Sequence, residues 1–139
     1  MGGVRPTCLA LVLCDRVGRM SHSGLASPVG VLHTISATSF PMITRPFSAW
    51  MQLTQGNGLI DMALVIERLP PERLDVERLL VAPFSLHFAD PNAMLEHRIR
   101  FETGVEIPCP GAFQARLTAD EATIMIRPFW MTYVRESEP

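Results

Sequence analysis

The amino-acid sequence predicts an all-β domain, built as a small sandwich of antiparallel strands. The main observation is that apolar and polar residues alternate with a period of two over many segments of strand length. Turn-forming residues separate these segments every 8 to 12 residues through most of the chain. The sequence also lacks the helical segments that would have to alternate with strands in a parallel sheet.

Eight segments carry the strand pattern. They are 7–14, 29–37, 47–54, 59–67, 80–88, 94–102, 113–118 and 122–134. Residues 7–14 are apolar on both faces, which is typical of a strand that is central or covered on both sides. In 47–54 the apolar residues alternate with Ser48, Trp50 and Gln52, which we expect to face outward. In 80–88, Pro83 lies on the outward parity and indicates an edge strand or a bulge.

The connections follow from the Gly, Pro, Ser and Asn residues. Residues 16–28 form a predicted loop. The sequence Gln55-Gly56-Asn57-Gly58 predicts a tight hairpin that makes 59–67 the partner of the preceding strand, because Asn-Gly supports positive φ. The stretch near residues 70–79 breaks the alternation and predicts either one short helix or a crossover loop.

Together these elements predict one domain, 1–139, with its core at about 7–134. The expected fold class is all-β: an antiparallel β-sandwich of about 7–8 strands, immunoglobulin-like or C2-like.

Length and charge limit the classes of function. A chain of 139 residues can bury enough surface to fold without a disulfide or a metal. The net charge is −2, and the 12 basic residues are all arginines that form no cluster, which argues against a nucleic-acid partner. Because the chain has no lysine, Schiff-base and P-loop chemistry are excluded.

The first residues raise the question of export. The apolar run from Cys8 to Cys14 is short for a signal peptide, and Asp15-Arg16 follows it without a small-residue cleavage site. No later run approaches the ~20 apolar residues needed to span a bilayer. An odd number of cysteines, with Cys109 as the third, suits a reducing compartment. We therefore expect a cytoplasmic protein with three free thiols and no membrane segment.

A set of landmarks is shared with a known family. They are Thr7 to Asp15, Pro28-Val29-Gly30-Val31, Phe40-Pro41, the Gly-Asn-Gly turn at 56–58, Phe88-Ala89-Asp90-Pro91 and Pro108 to Phe113. In these the chain resembles a family of short bacterial β-sandwich proteins catalogued as a domain of unknown function. The resemblance covers roughly residues 7–126, and it departs from the family pattern near 69–79 and in the run Phe129–Tyr133. It implies the fold and carries no activity over to these residues.

Histidines and cysteines offer no metal-ligand spacing, and no nucleophile motif is present, so we predict no catalytic residue, no metal and no cofactor. His33 and His97 lie on inward faces, where a hydrogen-bonded core histidine is the favoured interpretation. If the two histidines meet, they are the best candidate ligands, together with Cys109 or Asp90.

Charged residues alternate along segment 94–102. Glu96 and Glu102 share one face with Arg98 and Arg100. Paired acids can hydrolyse glycosides, but opposite charges along a strand more often form a solvated outer ladder. We therefore expect these four side chains to form a solvated row of opposite charges on the outer face of the sheet.

The aromatic residues support the functional hypothesis. Trp50 shares one side of its predicted strand with polar residues, and the run 129–133 is apolar on both sides of its strand. Either these side chains form an exposed contact surface, or a bulge at Pro128 or a covering loop buries them. The candidate interaction surface consists of Trp50, Phe129, Trp130, Met131 and Tyr133.

We therefore expect a non-enzymatic protein-interaction or self-assembly module, whose partner is another protein or a second copy of the chain. The alternative is a small-ligand or carbohydrate-binding module that uses Trp50 or Trp130 as a stacking platform. A metal-assisted hydrolase built on the histidines is the third hypothesis.

Overall fold

The computed structural model describes residues 3–19, 26–69 and 76–135, and this part of the chain is all-β without a helix. Within it lie eleven strands. In chain order they are β1 Thr7–Arg19, β2 Ala26–Val31, β3 Thr34–Ala37, β4 Met42–Ile43, β5 Phe47–Thr54, β6 Gly58–Leu69, β7 Glu77–Phe88, β8 Leu95–Phe101, β9 Glu106–Ile107, β10 Gly111–Ala119 and β11 Ala122–Tyr133.

Nine of the described strands form two main sheets. The four-stranded sheet has the order β2-β1-β5-β8, and the five-stranded sheet has the order β3-β11-β10-β6-β7. β4 and β9 pair with each other in a third, two-stranded sheet. Among the described pairings, β3 with β11 is parallel and the others are antiparallel. The expectation of a purely antiparallel arrangement is therefore wrong at β3.

Both main sheets bury one face in a common apolar core. The four-stranded sheet contributes fully buried side chains such as Leu11 and Met51, and the five-stranded sheet contributes Leu64, Phe113 and Leu117. Each large side chain buried in this way stabilises the fold by roughly 1.5–3 kcal/mol. In the predicted segments 47–54, 59–67, 94–102 and 113–118 the alternation indicates one buried face, and alternate apolar residues of each segment do lie in or against this core.

The strand count exceeds the seven or eight that the pattern predicts. Predicted segment 29–37 divides into β2 and β3, because the chain leaves one sheet and joins the other through Leu32 and His33 alone. β4 and β9 contain two residues each and are too short to show a period. The predicted loop 16–28 is also shorter than expected, since β1 extends to Arg19 and β2 begins at Ala26.

The predicted hairpin between β5 and β6 is wrong. β5 pairs with β1 on one side and β8 on the other, so neither of its edges is available to β6. The turn residues instead carry the chain from one sheet to the other, with positive φ at Gln55 and Gly58. Asn57 forms an isolated antiparallel bridge with Val4. Gly56 packs on Phe88, where an added Cβ would lie 2.7 Å from the ring.

The edge position predicted from Pro83 is confirmed, because β7 is the last strand of the five-stranded sheet. The register between β6 and β7 shifts between Ile66 and Glu67, where β7 contains one extra residue, Leu79. Of the stretch predicted as a short helix or a crossover loop, residues 70–75 lie outside the described part of the chain. Residues 77–79 belong to β7.

The long strand β1 changes direction near its middle. Ala10, Gln52 and Glu96 form one row across the four-stranded sheet. Arg19 is nine residues beyond Ala10, yet its Nη2 lies 3.4 Å from Oε2 of Glu96. The second half of β1 therefore bends back over the outer face of β5 and β8.

The neighbouring strand follows this bend at a glycine. Gly30 of β2 has φ +70°, and an added Cβ would lie 2.9 Å from the Cβ of Asp15. A residue with a side chain is strained in that conformation, so glycine is required where the hairpin bends.

A second required glycine lies between β8 and β9. Gly104 has φ +71°, and an added Cβ would lie 2.1 Å from the carbonyl oxygen of Thr44. The same region is fastened by hydrogen bonds between Thr44 and Val105, one of them from the Val105 N–H to Oγ1 at 2.9 Å.

Candidate functional site

The aromatic run in β11 separates into two faces. Phe129 and Met131 are buried in the core, and the ring of Phe129 stacks on Phe113 with the centroids 5.6 Å apart. Trp130 remains 46% exposed and Tyr133 60% exposed. Trp130 lies on the outward side of this run. Tyr133 shares the inward side with Phe129 and Met131, but it is the last residue of β11 and is exposed there.

Trp50 is buried, so the exposure expected from its parity is wrong. It does face away from the core, since it pairs with Val12 and Arg98 on the outer side of the four-stranded sheet. The second half of β1 covers that face, and the side chain is only 8% exposed. The sequence allows burial by a covering loop as one alternative, and the segment that covers Trp50 is the strand β1. Trp50 and Trp130 therefore belong to different sheets and form no common surface.

Three outward residues of β11 lie exposed along the strand: Ile126, Pro128 and Trp130. We call them the β11 patch. Ile126 is 45% exposed, almost as much as Trp130. The outer face of an antiparallel sheet is normally polar where it contacts water. A row of apolar side chains there is typical of a contact surface.

The polar residues of the adjacent strand turn away from this patch and contact a buried carboxylate. Glu67 on β6 is fully buried. Arg116 donates from Nε to Oε1 at 3.1 Å and from Nη2 to the same oxygen at 2.5 Å. Gln114 donates from Nε2 to Oε2 at 2.7 Å. The charge of Arg116, on the sheet face beside the β11 patch, is therefore balanced by the charge of Glu67 on the same sheet.

The ionisation of Glu67 follows from these contacts. Burial raises the pKa of its carboxyl, but the hydrogen bonds from Arg116 and Gln114 and the charges of Arg116 and Arg78 outweigh burial. The pKa of Glu67 therefore lies below its ordinary value, and the hydrogen bond to Glu67 raises the pKa of Arg116. Both groups are charged at neutral pH, and the pair fastens β6 to β10.

Sequence reasoning missed this ion pair. The available signal was a glutamate that directly follows the apolar run Leu64-Val65-Ile66, together with Gln114 and Arg116 on one parity of β10. Almost no glutamate is fully buried without a partner. Such a residue in a strand could therefore have prompted a search for its arginine.

A groove of about 450 Å³ lies beside the β11 patch, where β1 and β2 approach β11. Its walls include Val31, His33, Arg127, Pro128 and Trp130. Arg127 is held in place because its Nε donates to the carbonyl oxygen of Leu11 at 2.7 Å. The groove thus presents an indole, an imidazole and an anchored guanidinium to solvent.

The two histidines proposed as ligands lie at different places. His33 is exposed between β2 and β3 and lines the groove, with Nδ1 3.4 Å from Oγ1 of Thr34. His97 stacks on Phe84 of β7 with the ring centroids 4.4 Å apart, and burial lowers its pKa. The predicted inward position of His33 is therefore wrong, because β2 and β3 separate at that residue.

The other two candidate metal ligands, Cys109 and Asp90, lie in separate surface turns and form no cluster with His33 or His97. Cys109 is a half-buried free thiol between β9 and β10, and the carboxylate of Asp90 accepts a hydrogen bond from the Asn92 N–H in a surface turn. Within residues 3–19, 26–69 and 76–135, no group of three His, Cys, Asp or Glu side chains could hold a metal ion.

The charged ladder on β8 faces outward as expected. Nε of Arg100 lies 3.7 Å from Oε1 of Glu102, and Glu96 forms an ion pair with Arg19 of β1. Arg100 also donates from Nη1 to Oγ of Ser48 at 3.1 Å. These residues tie β8 to the bent half of β1.

Comparison with known proteins gives fold similarity alone. No protein-family model matches the chain, and no curated protein matches it. One solved structure with a similar fold is the Pseudomonas fluorescens alkylpurine DNA glycosylase AlkC, bound to DNA containing an abasic site analog. The TM-score is 0.51 with 11% sequence identity, over 92% of this chain and 30% of that protein.

Two glycosidase structures are less similar. The Trichoderma reesei β-D-glucoside glucohydrolase has a TM-score of 0.47 and 10% identity, over 92% of this chain and 19% of that one. The Listeria innocua β-glucosidase in complex with isofagomine has a TM-score of 0.46 and 8% identity, over 93% and 17%. This chain spans less than a third of each of the three proteins.

No helix in the described part of the chain is long and apolar enough to cross a membrane.

Proposed function

We propose that this chain is a non-enzymatic β-sandwich module that acts through protein contacts, with a second copy of itself or with another protein. The sandwich is supported by the core that the two main sheets share. The observation that carries the function is the β11 patch, a row of exposed apolar side chains on the outer face of a sheet.

The composition of the patch favours protein contact. Tryptophan is enriched among the residues that dominate binding energy, and such residues lie in an apolar centre surrounded by a polar rim. Trp130 has the apolar neighbours Pro128 and Ala112 on the same face. Because Gln114 and Arg116 are already bonded to Glu67, covering this face leaves few polar groups to desolvate without a partner.

Self-association is tested with a matched pair of variants. Trp130→Ser removes the largest side chain of the β11 patch, and Tyr133→Ser removes an even more exposed aromatic side chain outside it. Size-exclusion chromatography with light scattering should show an oligomer for the wild type and for Tyr133→Ser, and a monomer for Trp130→Ser. Oligomers of equal size for both variants would exclude the patch as the interface. A monomeric wild type would exclude self-association and leave another protein as the partner.

A small-ligand or carbohydrate-binding module is the second candidate, favoured by the groove beside Trp130. Aromatic faces stack on the apolar side of ligands, and Arg127 and His33 add polar contacts. Titration of the intrinsic tryptophan fluorescence with glucose and cellobiose should then give a saturable change that Trp130→Ser abolishes. An unchanged emission would count against this candidate.

A cytoplasmic location belongs to the same proposal. Cys8, Cys14 and Cys109 are all unpaired, which suits a reducing compartment. Membership of the family of uncharacterised bacterial β-sandwich proteins also stays a prediction, supported by the landmarks in the sequence.

A further inference from the structure

β3 is an edge strand of the five-stranded sheet, and one of its two sides has no partner strand in the part of the chain that the structure describes. On its paired side, the carbonyl oxygen of His33 accepts a hydrogen bond from the Trp130 N–H at 2.9 Å. The backbone groups of successive residues in a strand point alternately to its two sides. The N–H and C=O groups of Thr34 and Ser36 therefore point to the open edge.

β4 has an open edge as well. Met42 pairs with Ile107 of β9, and the Thr44 N–H donates to the carbonyl oxygen of Val105 at 3.0 Å. Ile43 lies between these two residues, so its N–H and C=O point away from β9. Its apolar side chain is 66% exposed. Within the described ranges, no backbone hydrogen bond joins β3 to β4.

A groove of about 380 Å³ lies between these two strands. The strand residues that line it are Thr34, Ile35 and Ser36 of β3 and Met42 and Ile43 of β4. Leu32 and Phe47 add an apolar wall that is continuous with the core. Beyond Ser36 and Met42, the groove continues into a recess that reaches Ser39 and Val134. A chain segment in this groove would meet open backbone groups along its length and apolar side chains beneath it.

The open edge of β3 lacks two features by which proteins keep sheet edges unpaired. Such edges are commonly blocked by proline or by charged side chains. β7, at the other end of the same sheet, contains Pro83, and the edge strand β8 carries Glu96, Arg98 and Arg100. β3, Thr34–Ala37, contains neither proline nor a charged residue. Its edge is therefore chemically open to another strand.

We propose that the groove between β3 and β4 binds an extended peptide segment of a partner protein, which adds to the five-stranded sheet as a strand beside β3. The open donors and acceptors of Thr34, Ser36 and Ile43 belong to the backbone, and an extended backbone is the ligand that complements them. Alternate side chains of the segment would contact the apolar wall and the others would face solvent, so we expect an alternating apolar and polar sequence. Because the groove lies on the side of β3 opposite β11, this site does not depend on the β11 patch.

A strand supplied on the protein itself tests this binding. A segment of about six alternating threonine and valine residues is fused behind Pro139 through a flexible Gly/Ser linker, since Val134 lines one end of the groove. The linker gives the segment an effective concentration on the order of millimolar, which populates even weak pairing. Amide hydrogen exchange at Thr34 and Ser36 should slow roughly tenfold or more relative to the unfused protein.

A control fusion and two variants identify the backbone as the cause. A fused segment of the same length made of proline alone has no N–H groups and should leave the exchange rates unchanged. In the threonine–valine fusion, Ser36→Pro removes an N–H from the open edge and should restore fast exchange at Thr34, whereas Ser36→Ala retains that N–H and should retain the protection.

The proposal would be overturned if the threonine–valine segment left the Thr34 and Ser36 amides unprotected. Equal protection by the proline segment, or loss of protection in Ser36→Ala, would overturn it as well, because backbone pairing would then not be the cause.

Discussion

Replacing Arg116 with methionine removes the charge partner of a fully buried carboxylate while retaining most of the side-chain volume. In the wild type the Glu67 carboxylate accepts hydrogen bonds from Nε and Nη2 of Arg116 and from Nε2 of Gln114. In the variant, Gln114 is the one side-chain donor that remains from this set. The carboxylate must then stay charged with too few partners or take up a proton.

The expected loss can be estimated from the burial of the two groups. Removing one partner of a buried pair costs about 3–5 kcal/mol. Arg116 is 21% exposed and Gln114 still donates one hydrogen bond, so we expect the lower end, about 3 kcal/mol. For a chain of 139 residues this corresponds to a fall in Tm of roughly 10 °C.

The pKa of Glu67 determines how the stability difference between the wild type and Arg116→Met changes with pH. In the wild type the pKa of Glu67 is lowered, so the pair's contribution is present above the unfolded-state pKa of about 4.3. That contribution is lost as the pH falls through the folded pKa. In Arg116→Met the raising effect of burial is no longer outweighed, and the carboxyl takes up a proton more readily in the folded state. The stability difference between the two proteins should therefore shrink as the pH falls from 7 to 5.

Urea denaturation at pH 7 and pH 5 measures both quantities. Arg68→Met is the matched control, because Arg68 pairs with Glu77 at 3.3 Å on the same sheet but in a partly exposed position. Pairs of that kind contribute about 0–1 kcal/mol. If the two variants lose equal stability, the argument that Glu67 depends on Arg116 is refuted. A difference that grows at pH 5 would refute the assignment of the pKa shift.

Three further predictions concern separate features. Gly104→Ala should destabilise the fold by more than about 2 kcal/mol in urea, because positive φ and a facing carbonyl oxygen both oppose a Cβ; a loss under 0.5 kcal/mol would contradict the turn geometry. A thiol reagent should modify Cys109 first in the native protein, since burial raises the pKa of the Cys8 and Cys14 thiols, and should find three thiols after unfolding; equal rates for all three would contradict the burial of those two. Burial lowers the pKa of His97, so the unfolded chain binds more protons near pH 6.5 and stability should fall on acidification through that range. His97→Leu should flatten this dependence in urea titrations, and an unchanged slope would rule His97 out as its source.

Periodicity predicted the core face because the direction of the side chains alternates along a strand whatever its neighbours are. The inward residues of β5, β6, β8 and β10 follow directly from that rule. Strand pairing is a different property. The Asn57-Gly58 turn predicted a hairpin, but both edges of β5 are taken by strands remote in sequence, and a local turn signal contains no information about them.

The predicted exposure of Trp50 was wrong for a related reason. Its outward parity was correct, but a two-layer arrangement assumes that outward means solvent. The bend in β1 depends on Gly30 lying opposite Asp15, and on the contact from Arg19 to Glu96. These contacts lie between segments that the alternation pattern treats as independent. The exposed face of β11 needed no such information, because a run that is apolar on both parities cannot bury both of them.

The parallel pairing of β3 with β11 has a kinetic consequence. Oγ of Ser36 lies 3.0 Å from Oγ1 of Thr132, and the Val134 N–H donates to the Ala37 carbonyl oxygen at 2.8 Å, so partners almost a hundred residues apart must meet. The pairing of β3 with β11 cannot form until β11 has been synthesised. Topologies dominated by such distant pairings fold in milliseconds to seconds, and until then the edges and apolar faces of the sheet are open to other chains. Nascent copies of this protein are therefore most vulnerable to aggregation in the interval before β11 is added.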